Sequence, residues 1–220
     1  QGQILMANKT ALVLGSSGLV GSELLTLCLE SDYYKKVITP LRTPLPIHDD
    51  KRKEIIIDFE MPPWEDLFPV DHVYCCLGTT IKKAGSKSNF IKVDHDYPLA
   101  FAGAAKKWNT SVFSVITAAG VSADSKIFYN RVKGELESNL KSISLNSTLI
   151  FQPSLLLGNR SEFRYREKIL SGIAKATSWL TPSSYRAIHC KKVAKSMIDQ
   201  TLYAKSGFNI ISNKEMHKIG

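Results

Sequence analysis

Residues 9–21 have the sequence KTALVLGSSGLVG, and this stretch decides the fold. A short apolar run at 10–14 is followed by Gly15, Gly18 and Gly21 in the spacing G-x-x-G-x-x-G, and apolar residues then recur at helical spacing as far as Cys28. The pattern predicts a strand, a glycine turn and a helix. Glycine suits the turn because it adopts unusual backbone angles and leaves room for a phosphate beside the amides at the helix start. In this position the motif favours a dinucleotide-binding loop over an ordinary tight turn.

The remaining chain continues the alternation of strands and helices. Further strands are predicted at 36–41, 54–57, 71–77, 111–116, 147–151 and 208–212, and helices at about 89–108, 126–140, 162–180 and 191–204. This order predicts one α/β domain over residues 1–220, a doubly wound parallel sheet (Rossmann fold) of about seven strands with helices on both faces. We expect residues 154–190 to form an inserted helical region on the substrate side. The ligand site is expected where the carboxyl ends of the strands meet.

Length and composition agree with a globular protein. The chain has 220 residues, of which 44% are hydrophobic and 22% charged, both ordinary values. It holds neither an apolar run near the ~18 residues that a membrane span requires nor a secretory leader pattern, so we expect a cytoplasmic protein without membrane insertion. Residues 1–5 fit no pattern and resemble an expression-tag remnant. The four cysteines, none in a C-x-x-C spacing, predict buried thiols in a reducing compartment.

The net charge of +9 is concentrated in the last third of the chain. Residues 158–220 hold 12 Lys and Arg against 4 Asp and Glu. No stacking-aromatic pattern or known nucleic-acid motif accompanies these cations. We therefore expect no nucleic-acid partner, and interpret the excess as an anionic cofactor or substrate pocket or as solvated helix faces. A protein partner, and a monomer or a homodimer, stay open.

The end of the second strand predicts which dinucleotide binds. An acidic residue there would hold the ribose hydroxyls of NAD, but this strand ends without a carboxylate and is followed by Arg42. Because a guanidinium pairs with a 2'-phosphate and stacks on adenine, NADP(H) is favoured over NAD(H), the alternative being a solvated loop arginine. Asp58 is placed to accept a hydrogen bond from the adenine amino group or to be an ordinary turn residue.

The candidate cofactor contacts lie in the loops after the strands and on the helix at about 126–140. They are Gly15, Ser16, Ser17, Gly18, Leu19, Val20, Gly21, Arg42, Asp58, Phe59, Leu77, Gly78, Thr79, Thr80, Tyr129, Lys133, Gln152 and Pro153.

Tyr129 and Lys133 are the candidate catalytic pair. They stand four residues apart, which places them on one face of a helix. A phenol titrates near ~10 in water, so it exchanges a proton at neutral pH only if a nearby cation stabilises its phenolate. Lys133 can supply that cation. Thr117, at the end of the fifth strand, offers a hydroxyl for the substrate oxygen, and the alternative for all three residues is ordinary packing. No metal site is expected, because the adjacent residues Asp94, His95 and Asp96 point in different directions on a helix.

Three motifs in the middle of the chain carry a family resemblance. Residues 76–80 (CLGTT), 83–85 (KAG) and 93–97 (VDHDY) resemble the Tat-interacting-protein oxidoreductase branch of the atypical short-chain dehydrogenases. The resemblance runs from about Lys9 to the last strand. It implies an epimerase- or dehydratase-like NADP(H)-binding domain in which the three glycines of residues 15–21 hold the pyrophosphate, Arg42 holds the adenosine phosphate, and Tyr129 with Lys133 forms the reaction centre.

The chain departs from this family at three places. Thr117-Ala118 stands where the family has paired serines, Gln152-Pro153-Ser154 replaces a family-like Arg-Pro-Gly, and Asp94 stands where related enzymes often have an asparagine. One hydroxyl therefore remains at the end of the fifth strand. The leading hypothesis is an NADP-dependent oxidoreductase acting on a carbonyl or alcohol, with Tyr129 as proton donor or acceptor. The alternative is an NADPH-sensing regulatory or protein-binding module with little or no turnover.

Overall fold

The computed structural model describes residues 8–158 and 186–219. Seven parallel strands form one sheet in the order β3-β2-β1-β4-β5-β6-β9. They are β1 Lys9–Leu14, β2 Tyr34–Leu41, β3 Arg52–Ile56, β4 His72–Cys75, β5 Val112–Ile116, β6 Ser147–Gln152 and β9 Gly207–Ser212. β1 pairs with both β2 and β4, so the strand order reverses there. The predicted doubly wound parallel sheet is confirmed.

Two further strands form a separate pair after β6. β7 (Leu156–Leu157) and β8 (Ile188–His189) run parallel to each other. Sequence periodicity missed them because two residues are too short to show a pattern. They adjoin the expected insertion at 154–190, of which positions 159–185 lie outside the described residues. Five of the cations that made the last third basic also lie there: Arg160, Arg164, Arg166, Lys168 and Lys175.

Helices cover both faces of the sheet. They are α1 Leu19–Glu30, α2 Trp64–Leu67, α3 Ile81–Ala84, α4 Lys87–Ile91, α5 Tyr97–Lys107, α6 Phe128–Ile143, α7 Cys190–Leu202 and α8 Asn213–Lys218, with a π-helical turn at Lys92–Asp96 between α4 and α5. The single helix predicted at 89–108 is therefore α4, the π turn and α5 in succession. The loop expected at 81–88 contains α3, which begins after Thr80 because its side chain accepts a hydrogen bond from the Lys83 amide.

The core has two halves, one on each face of the sheet. Alternate residues of β1 divide between them, Val13 facing α1 and α7 and Leu12 facing α5 and α6. Such burial on both faces explains why these strands are apolar nearly throughout. Among the thiols, those of Cys28, Cys75 and Cys190 are buried, as expected, and Cys76 is partly exposed. Within the described residues, no helix combines the length and the apolar character that crossing a membrane requires.

Candidate functional site

The candidate residues gather at one edge of the sheet. Residues 15–18 follow β1, Arg42 follows β2, residues 58–59 follow β3 and residues 77–80 follow β4. Thr117 follows β5, while Gln152 ends β6. Tyr129 and Lys133 lie in the first two turns of α6. Because the sheet is parallel, all of these carboxyl ends point the same way, toward the edge at which open α/β sheets bind ligands.

The glycine loop is tightly folded beneath the start of α1. Gly15 has a φ of +71°, and a Cβ there would lie 2.6 Å from the Cys76 carbonyl oxygen. The Gly18 amide donates to the Gly15 carbonyl at 2.8 Å. A Cβ on Gly21 would lie 2.1 Å from that same carbonyl oxygen. Close backbone approach therefore requires glycine at positions 15 and 21, whether or not a ligand is bound, whereas a Cβ on Gly18 would make a tight contact of 3.0 Å with the Gly15 carbonyl oxygen.

The first turn of α1 fits an anionic group. Gly18 is the N-cap, no side chain caps the helix, and the first turn holds no acidic residue. The first amides of the helix therefore remain available to a phosphate. Ser17 is exposed at this loop, whereas the Ser16 side chain is fully buried and its hydroxyl has no partner among the described residues. Ser16 therefore presents no exposed atom to a cofactor in this conformation of the loop.

The adenosine end is more open. Arg42 is exposed immediately after β2. Asp58 accepts a hydrogen bond from the Glu60 amide at 2.9 Å, so it acts as a turn residue with one carboxylate oxygen in this bond. The Phe59 ring packs against Tyr97 with ring centroids 5.5 Å apart. Glu60, which the sequence did not single out, accepts from both Lys92 (2.8 Å) and Tyr97 (2.7 Å).

Lys133 forms a buried ion pair that the sequence did not predict. Its Nζ lies 2.8 Å from Asp94 Oδ1, and the exposed fractions of the two side chains are 4% and 1%. Asp94 Oδ2 accepts from the Thr79 amide at 2.8 Å. Burial disfavours the charged ammonium, but Asp94 and the nearby Tyr129 outweigh it and raise the pKa of Lys133. Asp94 therefore holds Lys133 charged and fixes the loop after β4 beside it.

Tyr129 stands one helical turn before Lys133 and is partly buried. Its ring packs against Phe90 with centroids 5.7 Å apart. Within residues 8–158 and 186–219, its hydroxyl makes no hydrogen bond. The ring is thus held while the hydroxyl remains available to a ligand.

Thr117 is engaged with a carboxylate that the sequence analysis missed. Its hydroxyl donates to Glu137 Oε1 at 2.5 Å, and the residue is only 4% exposed. Gln152 Nε2 donates to both Glu137 oxygens at 3.0 Å. The hydroxyl proton expected for the substrate oxygen is therefore directed to Glu137. The spacing of Tyr129, Lys133 and Glu137, each four residues after the last, could have revealed this third residue on the same helix face.

Comparison with known proteins finds several relatives of the chain, although no family model matches it. It is 36% identical to protein FMP52 of Eremothecium gossypii, over 68% of this chain and 67% of that protein. It is 34% identical to FMP52-2 of Scheffersomyces stipitis, over 76% and 75%. With protein HTATIP2 of Rattus norvegicus the identity is 29%, over 98% and 90%.

Solved structures agree on the fold at much lower identity. The ADP-L-glycero-D-manno-heptose-6-epimerase of Helicobacter pylori superposes with a TM-score of 0.70 at 15% identity, covering 96% of this chain and 80% of that one. MoeE5 in complex with UDP-glucose and NAD gives 0.68 at 15%, covering 95% and 79%. A short chain dehydrogenase family protein of Francisella tularensis gives 0.67 at 13%, covering 96% and 100%.

The relatives correct one expectation and establish another. A cytoplasmic location was predicted because no leader pattern was found, but the FMP52 proteins that the chain matches are named mitochondrial. That prediction was wrong, since a protein can be directed to mitochondria without a secretory leader. The resemblance drawn from the motifs at 76–97 is confirmed. The chain belongs to the family of the FMP52 proteins, and HTATIP2 is a further relative.

Proposed function

We propose that this protein is an NADP-dependent oxidoreductase that interconverts a carbonyl and an alcohol, with Tyr129 as the proton donor or acceptor. The observation that carries the proposal is the pairing of a free phenol with a fixed cation. The Tyr129 hydroxyl makes no hydrogen bond among the described residues. Lys133 lies one turn further along α6, and Asp94, whose Oδ1 is 2.8 Å from Lys133 Nζ, keeps it charged. An oxidoreductase of the short-chain dehydrogenase type needs this combination.

The cofactor proposal rests on the loop after β1. The uncapped start of α1 offers backbone amides to a pyrophosphate, and Arg42 offers an exposed cation at the end of β2, where a 2'-phosphate would lie. MoeE5, a protein of similar fold, is described with bound NAD. Bound NADPH would supply a hydride to the carbonyl carbon of the substrate.

The chain's own residues would handle the proton. Tyr129 gives its hydroxyl proton to the carbonyl oxygen, and the resulting phenolate is stabilised by the positive charge of Lys133. In the reverse direction the phenolate takes the proton of an alcohol. Asp94 contributes by holding the ammonium in place, and Phe90 by holding the ring.

Tyr129→Phe tests the proposal. NADPH oxidation is measured over a panel of aldehydes and ketones, with NADPH affinity measured separately by calorimetry. We expect turnover to fall by about 100-fold or more, the usual effect of losing a general acid, with NADPH affinity unchanged within about twofold. Tyr203→Phe is the matched control, because Tyr203 is 85% exposed. Failure of the unaltered protein to oxidise NADPH with any member of the panel contradicts the proposal.

A second candidate is an NADPH-sensing regulatory module. It is favoured by one observation: Thr117 donates its proton to Glu137 and Ala118 has no hydroxyl, so no side-chain hydroxyl at the end of β5 is free to donate to a carbonyl oxygen. This candidate is supported if NADPH changes amide hydrogen exchange at the surface equally in the unaltered protein and in Tyr129→Phe, without turnover in either.

The cellular location is proposed from the relatives. Since the FMP52 proteins are named mitochondrial, we expect this protein in mitochondria. Fractionation of cells that express the full-length protein tests this.

A further inference from the structure

Glu137 lies on the same helix as Tyr129 and Lys133 and is bonded to Thr117. It is partly buried between α6 and the ends of β5 and β6, two helical turns after Tyr129. Its two oxygens receive hydrogen bonds from the Thr117 hydroxyl (2.5 Å) and the Gln152 amide (3.0 Å). Both partners are uncharged. The Glu137 carboxylate is thus held by neutral donors, and one of them is the hydroxyl of Thr117 at the end of β5.

The direction of the Thr117 hydrogen bond limits what Thr117 can do. A threonine hydroxyl has one proton to donate and two lone pairs to accept with, and an ionised carboxylate only accepts. While Glu137 is ionised, the Thr117 proton points to it, and only a lone pair remains for a ligand. That arrangement can receive the proton of an alcohol, but it cannot donate to a carbonyl oxygen.

Protonation of Glu137 reverses this polarity. A neutral carboxyl group can donate its proton to Thr117 Oγ1 while its other oxygen still accepts from Gln152. The Thr117 proton is then free to turn toward a ligand. Thr117, Glu137 and Gln152 stay joined by hydrogen bonds in both states, and without a ligand the freed Thr117 proton can turn to the Phe151 carbonyl oxygen, 3.5 Å from Oγ1.

We propose that Glu137 is a positioning residue that sets the direction of the Thr117 hydrogen bond, so that Thr117 accepts from an alcohol when Glu137 is ionised and donates to a carbonyl when Glu137 is protonated. The inference rests on the proposed function, because it assigns Thr117 to the substrate oxygen.

The surroundings of Glu137 favour its protonated form more than water favours that of an ordinary glutamate. Burial raises the pKa of Glu137, although the hydrogen bonds from Thr117 and Gln152 and the charge of Lys133 act in the opposite direction. The Lys133 charge is largely committed to Asp94 at 2.8 Å. On the segment packed against α6, His95 is bonded to Asn139 and to Asp96.

The first measurement follows the two groups without any substrate. Carbon-13 NMR of the Glu137 carboxyl carbon and of the Thr117 methyl group is recorded across pH, with Glu137→Gln and Thr117→Val identifying the signals. We expect both signals to titrate with one shared midpoint, above the usual value of a glutamate. Gln152→Arg places a cation beside Glu137 and is expected to move the shared midpoint to lower pH.

The second measurement uses two probes of equal size on the NADP-saturated protein. Cyclohexanone only accepts hydrogen bonds, whereas cyclohexanol also donates one. We expect the ratio of their dissociation constants to shift by about fivefold in favour of cyclohexanol from one pH unit below the midpoint to one unit above it, the effect of about one hydrogen bond. In Glu137→Gln, whose amide can donate to Thr117 at any pH, the ratio should stay at its low-pH value. Glu135→Gln is the matched control and should retain the shift.

The outcomes separate this inference from the proposed function. The shift in the ratio should persist in Tyr129→Phe, which abolishes the proposed proton transfer but leaves Thr117 and Glu137 in place. A Glu137 titration that leaves the Thr117 signal unmoved, a ratio that is the same at both pH values, or the failure of both probes to bind overturns the inference.

Discussion

Lys133 Nζ and Asp94 Oδ1 lie 2.8 Å apart in the interior, and this pair joins α6 to the π turn and to the loop after β4. Two opposite charges are stable there only together, because an isolated ion loses its hydration without compensation. The pair also links the phosphate-binding half of the sheet edge to the proposed reaction centre. Its integrity should therefore matter for folding as well as for chemistry.

Asp94→Asn should destabilise the protein strongly. The variant keeps an oxygen for the Thr79 amide but removes the charge opposite the buried ammonium, and breaking a buried pair costs about 3–5 kcal/mol. Urea unfolding measures the free energy of unfolding. Asp96→Asn, which alters an exposed carboxylate two residues along, is the control and should cost less than about 1 kcal/mol. Equal effects of the two substitutions would refute a special role for the pair.

The sequence predicted which residues lie at this site better than it predicted the contacts between their side chains. The spacing of Gly15, Gly18 and Gly21 and the position of Arg42 follow from local pattern, and the structure puts them at one sheet edge. The Asp94–Lys133 pair joins residues far apart in sequence, so no local period reveals it. The π turn at Lys92–Asp96 is one short irregularity between two α-helices, and apolar spacing alone does not show which carbonyl each amide bonds to.

The Thr117 prediction shows the same limit. Strand alternation can place a hydroxyl at the end of β5, but it cannot show where the proton points. That direction depends on Glu137, which comes from a different element and meets Thr117 only in the folded chain.

Gly21→Ala should disrupt the phosphate loop. The new Cβ would lie 2.1 Å from the Gly15 carbonyl oxygen, so the loop or the start of α1 must move. We expect NADPH affinity to fall at least about tenfold, since the amides at the helix start would no longer be aligned. Calorimetric titration with NADPH checks this. Gly103→Ala in α5 is the matched control: a Cβ at this position would have no neighbour within 4 Å among the described residues, and alanine there should raise stability by up to about 1 kcal/mol without affecting NADPH.

Arg42→Ala should change the cofactor preference. If Arg42 pairs with the 2'-phosphate, its loss removes a charge-assisted hydrogen bond, which typically contributes about 1.5–3 kcal/mol, or roughly tenfold or more in affinity. NADPH should bind more weakly, while NADH, which lacks this phosphate, should be nearly unaffected. Lys53→Ala removes an exposed cation from β3 and controls for the general charge. An equal loss of affinity for NADPH and NADH would show that Arg42 does not bind the 2'-phosphate.

His72 should make the protein less stable in acid. Its ring is 4% exposed at the start of β4, Tyr34 Oη lies 2.7 Å from Nδ1, and burial lowers the pKa of His72 to about 4. Histidine in the unfolded chain titrates near ~6.5, so between these values the unfolded state binds the extra proton. The free energy of unfolding should be highest above pH ~6.5 and should decline by up to about 3 kcal/mol as the pH falls toward ~4.

Urea unfolding at several pH values between these limits measures that decline. His72→Gln cannot take up the proton, so it should be less stable at neutral pH, where the native packing of the ring is lost, but should show a shallower decline in acid. The comparison must be made between slopes, because the raised pKa of Glu137 acts with the opposite sign: its contribution is present at low pH and is lost as the pH rises through its folded value. Identical slopes for the variant and the unaltered protein would mean that His72 does not couple folding to pH.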